Sequence, residues 1–281
     1  MATIRKVTDE YTELRSLWVQ TFGDKAEFVD DFYACWGDDI EGYVLEDEGR
    51  IVSALTMFRM GDLVIPEEGV SKPAYISYAI CTDTAARGRG FGSQITEFAR
   101  DVAIERDGVS MLSPAEASLV RFYQPIGYEP RFYAMERTLV CDALEDYPDE
   151  IDQLSDATYN SLREELLADT VHISLSDTAI HFVEMQSDGL YALLDGKVIV
   201  ATEADSSRFP EVIAASDLEP AEIEAAVAKL AGALGKNICS YRMPGNEYLQ
   251  SGALGKEYVQ AMIARDTGWK FSTGYFGFTF D

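Results

Sequence analysis

Hydrophobic positions in this chain follow two periods, and each switch between them marks an element. Ile4-Arg5-Lys6-Val7 reads as a short first strand, and Thr8 or Asp9 can cap the next element, a helix. That helix carries Tyr11, Leu14, Leu17, Trp18 and Phe22 at helical spacing, and a second carries Phe28, Phe32, Tyr33 and Trp36. Two apolar runs, Gly42 to Leu45 and Ile51 to Met57, flank Asp47-Glu48-Gly49 and predict a hairpin whose second strand continues towards Phe58. Leu63-Val64-Ile65 extends the sheet before a long strand, Ala74 to Thr82. A Gly/Arg-rich turn separates that strand from an amphipathic segment, Gln94 to Arg106, with one apolar stripe of Ile95, Phe98, Ala99, Val102 and Ala103. Asp107-Gly108 ends it, Val109 to Leu112 is the next strand, Pro114 opens a short helix, and Tyr128 to Val140 is strand again. The pattern is α/β, a mixed sheet around one central crossover helix.

From Cys141 to Ala168 the chain turns acidic and helical, which places the domain boundary at 140/141. The second half repeats the order of the first. It predicts a helix at Asp177–Gln186 and a hairpin of Leu190–Leu194 and Val198–Ala204 about Asp195-Gly196. A helix at Ala221–Leu234, a strand at Ile238–Arg242, a helix around Gly255–Arg265 and a last strand at Gly274–Phe280 complete it. Where the first half has its Gly/Arg turn, the second has Asp217-Leu218-Glu219-Pro220, whose carboxylates would repel an anion. Residues 1–140 and 141–281 are therefore expected to form two domains, the second a duplicate without cofactor chemistry.

Composition narrows the function. A chain of 281 residues suits two domains better than one, and 47% hydrophobic residues suffice for both cores. The net charge of -26 argues against nonspecific nucleic-acid or anionic-membrane binding and would draw cationic partners such as amines. Cys35, Cys81, Cys141 and Cys239 are widely spaced with no CxxC pair, so free thiols, no zinc site and a cytoplasmic setting are expected. No apolar signal core or membrane-spanning run is present in the sequence. Self-association is left open.

The chemistry concentrates at Arg87-Gly88-Arg89-Gly90-Phe91-Gly92-Ser93. A strand, a glycine turn and a helix start in that order make an anion cradle, because the first helical N–H groups lack partners and the helix dipole favours negative charge there. The run is not a dinucleotide fingerprint, since Ser93 stands where its last Gly belongs, and it lacks the Lys-Ser/Thr end of a P-loop. It fits R-x-x-G-x-G. About thirty residues on, Phe122-Tyr123 and Gly127-Tyr128 occur in a segment Ser118 to Tyr128 that comes after a strand.

These two elements resemble the acyl-CoA pyrophosphate loop and the post-strand segment of the GNAT superfamily of N-acetyltransferases, over about residues 3 to 140. The tandem layout resembles the enhanced-intracellular-survival group, which joins a catalytic GNAT domain to a cofactor-free GNAT-like domain and then a sterol-carrier-like one, though no sterol-carrier-like domain is expected here. The resemblance implies a GNAT fold with a second, degenerate GNAT-like domain, acetyl-CoA as co-substrate, no metal, and a primary amine of a small molecule or peptide as acceptor. It also implies that the N–H groups of Gly88, Arg89, Gly90, Phe91, Gly92 and Ser93, with Arg87, hold the pyrophosphate. Ile80, Cys81 and Thr82 would pair with the pantetheine arm where the strand splays from its neighbour, and Ser118 and Leu119 would line the far end of that arm. Tyr123 would give its proton to the leaving thiolate.

No general base is apparent. Ala74 to Thr82 lacks the Glu that many members carry there, Asp83 and Glu116 read as loop or cap residues, and His172 and His181 lie in the second half. In the enhanced-intracellular-survival group the final carboxylate enters the active site, so Asp281 is a further candidate. Tyr75, Tyr78 and Met57 or Phe58 could line an acceptor pocket. A non-catalytic acyl-CoA sensor and an assembly protein remain open alternatives to the enzyme.

Overall fold

The computed structural model describes residues 2–142, 151–245, 256–264 and 268–279. Cα packing divides the chain into two compact units. The first comprises Met1–Leu63, Ser71–Pro130 and Ala261–Trp269; the second comprises Val64–Val70, Arg131–Gln260 and Lys270–Asp281.

The first unit holds β1 (Thr3–Lys6), α1 (Tyr11–Phe22), α2 (Ala26–Trp36), β2 (Ile40–Asp47), β3 (Arg50–Ile65), β4 (Val70–Thr82), α3 (Phe91–Glu105), β5 (Val109–Leu112) and α4 (Ala117–Tyr123). The two ends of β3 and β4 that face each other in sequence, Val64–Ile65 and Val70, are counted with the second unit. The strands lie in the order β1-β2-β3-β4-β5. β1, β2 and β3 run antiparallel, and β4 and β5 pair in parallel over Ala74–Ile76 against Val109–Met111. The apolar stripe of α3 explains its docking: Phe91, Ile95, Ala99 and Ala103 are buried against Tyr43, Leu45, Val52, Leu55 and Met57 of the sheet. Another aromatic cluster joins Trp18 of α1 and Phe32 of α2 to Tyr78 of β4, with Phe32 and Tyr78 stacked at 5.3 Å. Met57 and Phe58 are buried as well, so Tyr78 and Phe58 serve the packing of this core. Glu10, rather than Thr8 or Asp9, is the residue at the start of α1; its carboxylate accepts the N–H groups of both.

The second unit takes most of β6 (Tyr128–Val140), which pairs antiparallel with β13 (Ile238–Pro244) over Ala134–Val140. That pairing is why the first unit ends at Pro130 and not at the end of the strand. A four-stranded sheet contains β12 (Glu211–Ala214), β10 (Val198–Ala201), β9 (Leu190–Leu193) and β7 (Ile151–Leu154), in that order. β8 (His172–Leu175) and β11 (Arg208–Phe209) are short. Helices α5 (Asp156–Leu166) and α6 (Asp177–Met185) are capped by the hydroxyls of Ser155 and Ser176, which take the N–H groups of Thr158 and Ala179. Helix α7 (Pro220–Ala233) opens with a capping box of Glu219 and Glu222 and buries Ile223, Val227 and Leu230 in the core of the unit. Arg163 and Glu211 are both fully buried here; Arg163 Nε donates to the carboxylate at 3.1 Å, Tyr159 donates to it at 2.8 Å, and Arg163 Nη1 donates to the Ile173 carbonyl at 2.7 Å.

Three sequence expectations are corrected. The segment expected as a helix around Gly255–Arg265 is a strand, β14 (Lys256–Ala264), whose Met262 and Ile263 pair with Leu112 and Met111 of β5. Gln260 to Ala264 are all buried, so no alternation betrays a strand there, and tertiary pairing decides between two spacings that fit equally. The last strand expected from Gly274 is reduced to single bridges at Gly274 and Tyr275. Side chains hold the residues beyond: Phe276 N–H donates to Gln260, and Arg242 donates to Thr279 Oγ1 at 2.7 Å. The acidic stretch after Cys141, expected as helical, contains β7 before α5 begins. Leu63 to Ile65 is the end of β3 itself. Among the described residues no helix is long and apolar enough to cross a membrane. Asp281 lies outside the described residues.

Candidate active site

The site begins with an irregular strand. β4 continues past Ile76, its last pair with β5, to Thr82. Within that extension Ala79 sits at φ +47°, a left-handed conformation that an L side chain adopts only at a cost. A left-handed residue inside a strand re-aims the residues after it. β3 fixes the result. The Asp83 N–H donates to the Val52 carbonyl at 2.9 Å, and the fully buried Ser53 donates its hydroxyl to the Cys81 carbonyl at 2.6 Å, with Thr82 Oγ1 3.0 Å away. Cys81 faces β3, with Sγ 3.6 Å from the Ala54 carbonyl, and burial pushes its thiol up to about 12.

The turn after β4 is built by Asp83. Its carboxylate accepts the Ala85 N–H at 2.8 Å and its carbonyl accepts the Ala86 N–H. Asp83 is therefore a turn residue, and Glu116 likewise accepts a hydrogen bond from Ser118 next to the start of α4. Gly88 and Gly90 take φ +79° and +80°, conformations that glycine alone adopts cheaply. A Cβ at Gly88 would meet nothing within 4 Å, so that glycine is demanded by backbone shape and the space beside it is open. The Gln94 N–H is the one that first closes a helical bond, to the Gly90 carbonyl at 3.1 Å. The N–H groups of Phe91, Gly92 and Ser93 thus have no acceptor within the helix and carry the positive end of α3.

The two arginines separate in role. Arg87 is exposed and borders the cavity; its Nε donates to the Thr82 carbonyl at 3.3 Å, which leaves the Nη groups to face an anion. Arg89 turns away. It pairs with the buried Asp47 at 2.6 Å and lies 4.6 Å over the ring of Phe91, clamping the turn to the β2–β3 hairpin. Sequence spacing assigns both arginines the same duty because it does not show which way a side chain leaves a turn.

These pieces enclose a cavity of about 520 Å³. Its walls are Ile80, Cys81 and Thr82 of β4; Ala86, Arg87, Gly88 and Gly90 of the turn; Phe91, Gly92 and Ser93 of α3; Leu119, Phe122 and Tyr123 of α4; and Thr21 of α1. Of the expected site residues, Arg89 and Ser118 do not line it. Thr21, Ala86 and Phe122 line it without having been singled out for ligand contact. Thr21 carries no sequence signal, since it sits on the last turn of a helix whose register points Leu17 and Trp18 into the core. Tyr123 is buried to 7% exposure, and burial beside Tyr128 pushes its phenol up to about 12. Its hydroxyl makes no hydrogen bond among the described residues. Behind it, Tyr128 is fully buried with its hydroxyl 2.7 Å from Ser110 Oγ. The cavity lining contains no carboxylate and no imidazole.

Geometry and donors fit an elongated anionic ligand with an apolar arm. The open glycine turn, three N–H groups without a helical acceptor and Arg87 suit a diphosphate, and the β4 edge suits an amide chain running alongside it. A neutral hydroxyl donor sits at the α4 wall.

Comparison with known proteins agrees. Residues 3–131 match an acetyltransferase (GNAT) domain family. No curated protein matches the chain. Among solved structures, a probable N-acyltransferase from Enterococcus faecalis V583 superposes with a TM-score of 0.70 at 15% identity, covering 94% of this chain and 72% of that one. Eis1 from Mycobacterium abscessus gives 0.64 at 12% identity over 94% and 73%. A tandem GNAT protein from the clavulanic acid biosynthesis pathway gives 0.56 at 11% identity over 96% and 100%. At these identities the structures speak for the fold, a mixed α/β GNAT domain with a second GNAT-like one after it. The domain match identifies residues 3–131 as an acetyltransferase (GNAT) domain, and the solved structures give the chain a tandem GNAT-like fold.

Proposed function

We propose that the chain is an acetyl-CoA-dependent N-acetyltransferase that passes the acetyl group directly to a primary amine of a small molecule or peptide. The observation that carries this reading is one cavity flanked by a helix N-terminus and by a buried phenol, neither hydrogen-bonded among the described residues. Acetyl-CoA supplies an activated thioester and a thiolate leaving group. The N–H groups of Phe91, Gly92 and Ser93, with Arg87, hold the diphosphate; Gly88 and Gly90 keep the approach clear. Ile80, Cys81 and Thr82 present backbone groups to the pantetheine amides, and Leu119 packs on that arm. Arg89 positions the turn through Asp47. Tyr123 donates its proton to the departing sulfur. Its raised pKa keeps the donor form fully populated at any pH where the amine reacts.

Direct transfer is favoured over an acyl-enzyme. The single thiol on the cavity wall, Cys81, is held protonated by burial, and a thiol rather than a thiolate is a poor nucleophile. The amine's proton leaves by water or by a group outside the described lining. The second unit acts without coenzyme: the start of α7 is filled by the carboxylates of its own capping box, which repel an anion where α3 attracts one. The free thiols accord with a reducing, cytoplasmic setting.

The test monitors thiol release from acetyl-CoA across a panel of primary amines, with coenzyme binding measured in parallel. Turnover that drops in Tyr123→Phe while coenzyme affinity holds is the expected result. Saturable binding with no release for any amine would make the chain a sensor. Absence of any coenzyme-dependent rise in Tm would remove the coenzyme site, since a ligand at 100 times its Kd adds about 2.7 kcal/mol.

A further inference from the structure

The second unit brings together three side chains whose chemistry the acetyl-transfer reading leaves unused. His181 and Glu184 stand one turn apart on α6, on the side away from the buried Ala179 and Phe182. Asp156 opens the neighbouring helix α5, which packs against α6. Its carboxylate is already oriented: Oδ1 accepts the Ala157 N–H at 2.6 Å, and Oδ2 points at the imidazole. One atom from each of the three lies within 4.8 Å of the other two.

The separations are longer than hydrogen bonds and of the size a bound ion needs. His181 Nδ1 is 3.6 Å from Asp156 Oδ2 and 3.7 Å from Glu184 Oε2. Both exceed a hydrogen bond, which for charged partners closes to about 2.7–2.9 Å. Two ligands of a tetrahedral ion bonded at about 2.0–2.1 Å stand about 3.3–3.4 Å apart, within a few tenths of an ångström of the observed spacing. The two spacings from the imidazole leave room for an ion, and all three ligand atoms lie within 4.8 Å of one another. The set itself is specific. One imidazole and two carboxylates suit zinc or a similar borderline divalent ion, and leave a further position for water. A chain with a net charge of -26 concentrates cations at its surface.

We propose that Asp156, His181 and Glu184 form a binding site for a divalent transition-metal ion, zinc above all, that ties α5 to α6. Its three ligands come from two helices, so occupancy closes a link that neither helix makes alone. The role is structural: it holds two helices of the second unit together and takes no part in acetyl transfer.

Isothermal titration of the full chain with zinc chloride, after stripping with EDTA, tests the site. One equivalent is expected to bind, with a rise in Tm that EDTA reverses, and the affinity is expected to fall by about tenfold or more in His181→Ala and again in Glu184→Gln. The side chains exchanged are half exposed, so both variants should keep the circular dichroism and metal-free Tm of the parent. Zinc bound equally well by parent and variants would assign it to other groups, such as the cysteines, and overturn the proposal. So would failure of the parent to take up one equivalent at all. Acetyl-transfer activity should be the same with and without zinc, so neither outcome bears on the coenzyme cavity.

Discussion

Gly90 offers the sharpest test of the anion cradle, because strain and charge can be separated there. It occupies φ +80°, and a Cβ would find only Gln94 Nε2, at 3.8 Å. Replacement by Asn therefore costs backbone strain and little else, of order 1 kcal/mol, since Asn tolerates the left-handed region better than other residues. Replacement by Asp costs nearly the same strain and adds one negative charge at the mouth of α3. The Asn-to-Asp difference is then electrostatic. At about 5 Å from a diphosphate, one pair of unit charges repels by roughly 1 kcal/mol in water and roughly 3 kcal/mol at an effective dielectric of 20. The site is exposed, so the lower half of that range applies, a loss of about 5- to 30-fold in coenzyme affinity. Calorimetric titration of coenzyme A into both variants measures it, and Tm without ligand checks that they fold alike. The gap should narrow as salt rises. Equal affinities for Gly90→Asn and Gly90→Asp, at low salt, would refute the placement of the diphosphate at this turn.

Four other outcomes are expected. Tyr123→Phe should lower kcat by about 10²-fold or more with little change in coenzyme affinity, as measured by steady-state kinetics beside direct binding. Tyr123 and Tyr128 both titrate near 12 when folded, above the usual 10, so they bind more protons folded than unfolded; stability should be flat below pH 10 and fall as pH rises from 10 through 12, read by thermal melts. Ser53→Ala should cost about 1 kcal/mol and raise the KM for acetyl-CoA more than it lowers kcat, because it releases the Cys81 carbonyl without touching the phenol. Arg163→Met should destabilise the second unit by about 3–5 kcal/mol by stranding the buried Glu211, and Glu211→Gln in the same chain should recover part of that loss in denaturant titrations.

Much of the first unit could be read from its sequence, for local reasons. The hairpin at Glu48-Gly49, the stripe of α3 and the glycines at 88 and 90 announce themselves because their conformations are set within a few residues. The cavity was legible in outline for the same reason. Directions were not. Arg87 and Arg89 lie two residues apart in one turn, yet one faces the cavity and the other seeks Asp47, a partner far away in the chain. Thr21 reaches the wall from the last turn of α1 through tertiary packing that its own residues do not announce. β14 escapes a periodicity reading because its burial on both faces erases period-2 alternation, and Gly274 onwards because side chains from β13 and β14 hold it where a ladder was expected. The His181 cluster joins two helices more than twenty residues apart at its ends, and no spacing rule covers such a set.

The left-handed Ala79 has one last implication. A strand that must be prised from its neighbour would charge every incoming ligand for the opening. Here the kink is a backbone torsion at Ala79, and hydrogen bonds from Ser53 and to the Val52 carbonyl fix the residues that follow it. The groove is thus a standing one, its shape settled during folding, and affinity can be directed to the reacting end. Ala79→Gly would relax the kink and make a more stable protein with a less decided groove, a trade that selection for turnover would refuse.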